Sequence, residues 1–100
     1  GLLNLSKSLS LELARDGIRV NSVALGLVDT GQWRHRYENS GYTGSFDEWE
    51  AEIAADRGIG LGRFGTADEV AFHIVGLLSP RSSYVTGTSI DVCGGVARYV

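Results

Sequence analysis

Gly17-Ile18-Arg19-Val20-Asn21-Ser22-Val23-Ala24-Leu25-Gly26-Leu27-Val28-Asp29-Thr30 is the stretch on which the fold turns. Gly17 suits the left-handed position that closes a helix. Ile18 to Ala24 reads as a buried strand, with Ile18, Val20, Ser22 and Ala24 on one face. Gly26 then turns the chain into a loop that carries Thr30. In doubly wound α/β sheets, ligands sit just beyond the carboxyl ends of parallel strands. That loop is the expected place for chemistry.

Working outward, Leu2, Leu5, Leu9 and Leu13 recur at three- and four-residue steps and define one face of a helix before Gly17. Ser6 and Ser10 beside that stripe are small enough to admit another helix at close range. No capping residue precedes Leu2 and the chain holds no methionine, so the helix is expected to begin upstream of Gly1. Beyond the loop, Gly31 to Gly65 mixes Gly, Ser, Tyr and Trp with charges, and Ser40 to Gly44 reads as an open turn. Phe46 to Ala55 has the pattern of a short amphipathic helix, with Trp49 and Ile53 four residues apart. Thr66-Ala67-Asp68-Glu69 is a capping box opening a helix whose apolar face is Val70, Ile74, Leu77 and Leu78, and Pro80 marks its end. Thr88 to Val92 alternates as a second short strand.

Strands that alternate with helices imply a parallel sheet, because each return needs a crossover. Two parallel strands alone leave unpaired edges. The expected fold class is therefore α/β: residues 1–100 form the C-terminal portion of a single Rossmann-type domain. That domain is a doubly wound parallel sheet in three α/β/α layers, with a loop insert at about 31–65.

Composition narrows the function classes. A hydrophobic share of 43% suffices for a globular core rather than a disordered chain. A net charge of −3 without basic runs argues against nucleic acid and anionic membrane as partners. No apolar run approaches the ~18 residues of a membrane span. Cys93 is the single cysteine, which makes the reducing cytoplasm the default location. His35, His73 and Cys93 share no ligand spacing, so no metal site is expected. Gly-x-Ser-x-Gly is absent, which counts against a hydrolase of that type. Gly60-Leu61-Gly62-Arg63-Phe64-Gly65 fits the dinucleotide fingerprint but follows a helix rather than a strand, and it is read as a hinge.

Several segments together resemble the short-chain dehydrogenase/reductase family. Gly1 to Leu9 is similar to the helix after that family's catalytic Tyr-x-x-x-Lys. Gly17 to Asn21 matches its Gly-Ile-Arg-Val-Asn, and Leu25 to Thr30 its Pro-Gly-x-aliphatic-x-Thr, with Leu25 in place of the usual proline. Leu61 to Ala71 resembles Leu-Gly-Arg-x-Gly-x-x-Glu-Glu-Val-Ala, and Tyr84 to Gly95 the closing strand.

The resemblance implies an oxidoreductase that moves hydride between NAD or NADP and a small-molecule alcohol or ketone, in the manner of a 3-oxoacyl reductase. It also implies a homo-oligomer, dimer or tetramer, in full-length form. Tyr37, Tyr42, Tyr84 and Tyr99 stand in no Tyr-x-x-x-Lys arrangement, so the catalytic pair is expected upstream of Gly1 and the isolated chain is expected to be inactive. The cofactor-binding residues carried over are Leu25, Gly26, Val28 and Thr30. The Val28 backbone would bind the carboxamide, and the Thr30 hydroxyl the same end of the cofactor or its diphosphate.

Bland readings stand beside these: Val28 as an apolar plug and Thr30 as a helix cap. In the insert, Gln32, Trp33, Tyr37, Phe46 and Trp49 are candidates for the substrate pocket, with Arg34 and Arg36 able to hold an anion. The same tryptophans would equally serve to pin the loop to the core. The alternatives to an enzyme are a non-catalytic nucleotide-binding module and an assembly fragment.

Overall fold

The computed structural model describes residues 2–96, Leu2 in its backbone only, so Gly1 and Tyr99 lie outside the described residues. The elements run α1 (Leu2–Leu13), β1 (Ser22–Leu25), α2 (Gly31–Glu38), α3 (Phe46–Asp56), α4 (Ala67–Leu78) and β2 (Ser89–Val92). A 3-10 turn follows α1 at Ala14–Asp16 and another follows α4 at Pro80–Ser82.

β1 and β2 pair as a two-stranded sheet. Ser22 N–H donates to Thr88 O and Gly26 N–H to Val92 O, at 2.9 and 3.0 Å. Both partners advance by four residues in the same sense, so the pair is parallel, as the alternation with helices predicts. β1 starts later than the Ile18 expected from composition. Residues before Ser22 face a turn instead of a strand: Val20 O accepts from Gly87 N–H, and Asn21 exchanges bonds with Val85 O and Thr88 N–H.

The chain divides into two compact units, Gly1–Ala24 with Ala71–Asp91 and Leu25–Val70 with Val92–Val100. In the first, Gly17 takes the left-handed conformation (φ 74°) and closes the turn after α1. Arg19 donates to Val85 O and Ser79 O, tying the chain before β1 to the segment after α4. Ser10 is buried and its hydroxyl donates to Lys7 O. Its small size admits the Gly87 turn: a Cβ at Gly87 would stand 2.7 Å from Ser10 Oγ. Leu3, Leu5, Leu9 and Leu11 of α1 stay open, with Leu5 and Leu11 57% and 67% exposed.

The second unit closes on itself. Phe46, Ala54, Ile59 and Phe64 form its core, and Leu27, Trp33, Tyr37, Trp49, Ile53 and Val96 pack around them. α3 opens at Ser45, whose hydroxyl accepts from Glu48 N–H at 3.1 Å, and Asp47 and Glu48 suit the positive end of the helix. α4 opens on the expected capping box: Glu69 N–H donates to Thr66 Oγ1 and Thr66 N–H to the Glu69 carboxylate, at 3.1 and 2.9 Å. α2 is an element the composition does not announce. Its apolar residues are Trp33 and Tyr37, one turn apart, and both turn inward onto α3.

Candidate functional site

The loop that leaves β1 is built by backbone contacts. Gly26 lies against the end of β2, where an added Cβ would stand 2.9 Å from Cys93 Cα. Only glycine fits there without displacing main chain. Val28 then forms an isolated parallel bridge with Gly65. Gly65 N–H donates to Leu27 O at 2.9 Å, and Asp29 N–H donates to Gly65 O at 2.8 Å.

In a parallel bridge of this kind the flanking residues make the bonds, and the central residue directs its own N–H and C=O the other way. The Val28 amide and carbonyl accordingly have no partner among the described residues. A donor and an acceptor are thus held side by side on one stretch of rigid chain. That pair matches a primary carboxamide, which presents one of each.

Thr30 follows at the N-cap of α2, exposed, with an extended backbone (φ −128°, ψ 168°). Its hydroxyl makes no capping bond, so its position is that of a cap while its side chain remains available. Leu25 is exposed at the end of β1. A recess of about 250 Å³ borders this loop, lined by Leu25, Gly26, Leu27, Arg57, Ile59 and Val96. Larger hollows in the first unit, about 430 and 300 Å³, are lined by residues such as Tyr84 and Leu78 and hold none of these loop residues.

The insert residues gather into one aromatic cluster. Trp33 meets Trp49 and Phe64 at centroid distances of 6.0 and 5.0 Å. Tyr37 meets Phe46 edge-on at 5.4 Å and Trp49 at 5.6 Å. Phe46 is buried, whereas Trp33, Tyr37 and Trp49 keep part of their surface and Gln32 is exposed. The Tyr37 hydroxyl donates to Gly44 O at 2.7 Å, which fastens the turn before α3.

The two arginines differ. Arg34 donates Nε and Nη2 to the two carboxylate oxygens of Asp29 at 3.1 and 2.8 Å, so its guanidinium is engaged. Arg36 lies over the Trp33 ring at 4.7 Å. Nothing in the composition pointed to the Asp29–Arg34 pair; five-residue spacing across a helix start is no standard motif.

The glycine-rich stretch before α4 serves packing. Gly60 and Leu61 N–H donate to Gly95 O and Gly94 O at 3.4 and 2.9 Å, which brings two backbones together. Arg63 forks onto Glu69 at 2.8 Å through both nitrogens. That fork, with the Thr66 amide, pulls the Glu69 carboxyl from its ordinary 4.5 down to about 2. No group of His, Cys, Asp and Glu among the described residues is arranged to hold a metal ion.

The comparisons with known proteins agree with this geometry. The family described as enoyl-(acyl carrier protein) reductase matches residues 1–97. A 3-oxoacyl-(acyl-carrier-protein) reductase of Chlamydia muridarum is 37% identical over 97 residues, 97% of this chain and 35% of that protein. An uncharacterized oxidoreductase of Escherichia coli is 43% identical over 91 residues, 91% of this chain and 33% of that protein. Among solved structures, the NADPH-bound short-chain oxidoreductase of Pseudomonas aeruginosa, described as containing an atypical catalytic center, superposes with a TM-score of 0.85. It is 43% identical and covers 100% of this chain and 37% of its own. The chain thus spans about a third of the length of the curated relatives it matches. The α/β fold with its small parallel sheet is that of the Rossmann proteins among those structures. With the matching segments in order from the first helix to the closing strand, the chain belongs to the short-chain dehydrogenase/reductase family.

Proposed function

We propose that this chain is the C-terminal portion of a nicotinamide-dependent oxidoreductase, in which the loop after β1 grips the nicotinamide end of NAD or NADP. The observation that carries the reading is the N–H and C=O of Val28, held outward by the Gly65 bridge and without a partner among the described residues. Gly26 lets the end of β2 close against the loop, Leu25 flanks the recess there, and the Thr30 hydroxyl offers a third polar contact. The bound dinucleotide would supply the hydride; the chain's own part is to fix the ring's orientation. Orientation matters because the reacting atoms must be held near contact distance before transfer. The NADPH in the Pseudomonas relative favours this class of cofactor.

The substrate reading is an alcohol or ketone lodged against the aromatic cluster. Gln32 and the open faces of Trp33, Tyr37 and Trp49 would touch it, with Phe46 supporting them from behind. The reductase names among the relatives, 3-oxoacyl reductase included, support a carbonyl substrate. Residues 31–65 then act as the substrate insert of one dinucleotide-binding domain, whose proton donor lies in the part of the protein before Gly1. Homo-oligomer formation, as a dimer or tetramer, is supported by the open leucines of α1 and by Phe72 on α4. A lone free cysteine suits the cytoplasm. No described helix is long and apolar enough to cross a membrane.

The test is Thr30→Ala in the full-length protein, read by NADPH titration. Loss of one hydrogen bond predicts affinity weaker by about 1 kcal/mol, roughly fivefold. Unchanged affinity removes Thr30 from the site.

A further inference from the structure

Asp29 stands between the two residues assigned to the cofactor. Its main chain belongs to the Gly65 bridge, and its carboxylate receives both arms of the Arg34 fork. Arg34 in turn lies 3.6 Å above the Phe46 ring, at the first residue of α3. The Arg34 N–H donates to Thr30 O at 3.1 Å. Asp29, Thr30 and Arg34 therefore form a closed ring of contacts that includes Thr30, whose hydroxyl makes no bond among the described residues. The pair itself is open to solvent, with side-chain exposures of 53% and 28%, so its contribution to folding is small. Its planarity fixes direction better than it adds stability.

We propose that this fork is a latch that sets the entry angle of α2, making Arg34 a positioning residue for the Thr30 hydroxyl. The inference rests on the cofactor reading above. It adds a link between cofactor and substrate sides, since Trp33 and Tyr37 ride on the same helix. The charges of Glu50 and Asp47 on α3 add weakly to the Asp29 pairing in favouring the Arg34 cation. The Glu50 carboxyl is pushed up by burial first, with Asp29 and Asp47 adding to it, while the Phe64 amide and Arg34 oppose the rise. Removing Arg34 leaves the Asp29 carboxylate uncompensated beside Thr30, where an anionic cofactor would approach, whereas Asp29→Asn leaves only a cation there.

The experiment uses the full-length protein with Asp29→Asn, Arg34→Gln and the double variant, NADPH being the probe. Arg34→Gln should weaken NADPH binding about tenfold and Asp29→Asn about threefold, while the double variant sits nearer the milder one. Denaturation midpoints should stay at the wild-type value, which a merely structural role would shift. Without cofactor, the Arg34 amide should exchange with solvent faster in Asp29→Asn. Normal NADPH binding in Arg34→Gln overturns the latch, as does a double variant showing the full product of the two single losses. Normal wild-type binding with unchanged exchange in Asp29→Asn overturns the latch alone. A wild-type protein that takes up no NADPH overturns the cofactor reading and the positioning role with it.

Discussion

Between Leu25 and Val70 the chain buries Phe46, Ala54, Ile59, Phe64 and Val70; the unit of Gly1–Ala24 and Ala71–Asp91 buries Ser10 alone among the described residues. Apolar residues are plentiful in both. In the first unit they stay open, Leu11 at 67%, Phe72 at 74% and Leu78 at 75% exposure. The difference lies in reach. The aromatic cluster draws on α2, α3 and the stretch up to Phe64, neighbours in sequence that fold over one another. A unit built on a parallel sheet needs strands on either side of it, and two strands offer few. Local closure and dependence on distant chain thus coexist within 100 residues.

The comparison breaks most sharply at the core of the second unit and the open face of the first. Phe64→Ala should cost about 3–5 kcal/mol by urea denaturation of the full-length protein, because its ring is buried against Trp33. Leu11→Ala measured alongside reads the open face: a loss of about 2 kcal/mol or more means that face is covered in the full-length protein. A loss below about 0.5 kcal/mol returns it to solvent.

Gly26→Ala comes next. The added methyl meets Cys93 main chain, and the strain should lower stability by about 1–3 kcal/mol while weakening NADPH binding. Wild-type behaviour in both measurements would show that the loop has slack. Thr66→Ala removes the cap of α4 and should cost about 1 kcal/mol in the same assay.

The smallest effect is one of pH. Glu69 is held ionised by Arg63, so its contribution is complete above its ordinary value of 4.5 and disappears as pH falls toward about 2. The melting points of wild type and Glu69→Gln should differ by a constant amount above pH 4.5 and converge below it. A gap that persists to pH 2 contradicts the assignment of the fork.

Much of the second unit was legible because its signals are local. The capping box at Thr66 and Glu69 and the Phe46 helix each depend on residues within a turn of one another, as does the left-handed Gly17 in the first unit. α2 was not legible, since two aromatic residues among polar ones make a weak stripe, and the helix stands only because both rings find α3. The late start of β1 was hidden for a related reason: Ile18 to Asn21 have strand-like composition, but the turn around Gly87 is what faces them. The Val28–Gly65 bridge joins residues far apart in sequence, so no local pattern announces the outward turn of the Val28 amide. Arg34 reads from the sequence as a residue able to hold an anion, and only the geometry shows that the anion it holds is the Asp29 carboxylate.

The most direct test of the account follows the backbone amide of Val28 by NMR in the full-length protein. NADPH should shift and protect the Val28 and Thr30 amides, while an adenosine diphosphate fragment without the nicotinamide should leave both where they are. NADPH that binds with the Val28 amide unmoved would contradict the claim that this bridge-held residue grips the carboxamide.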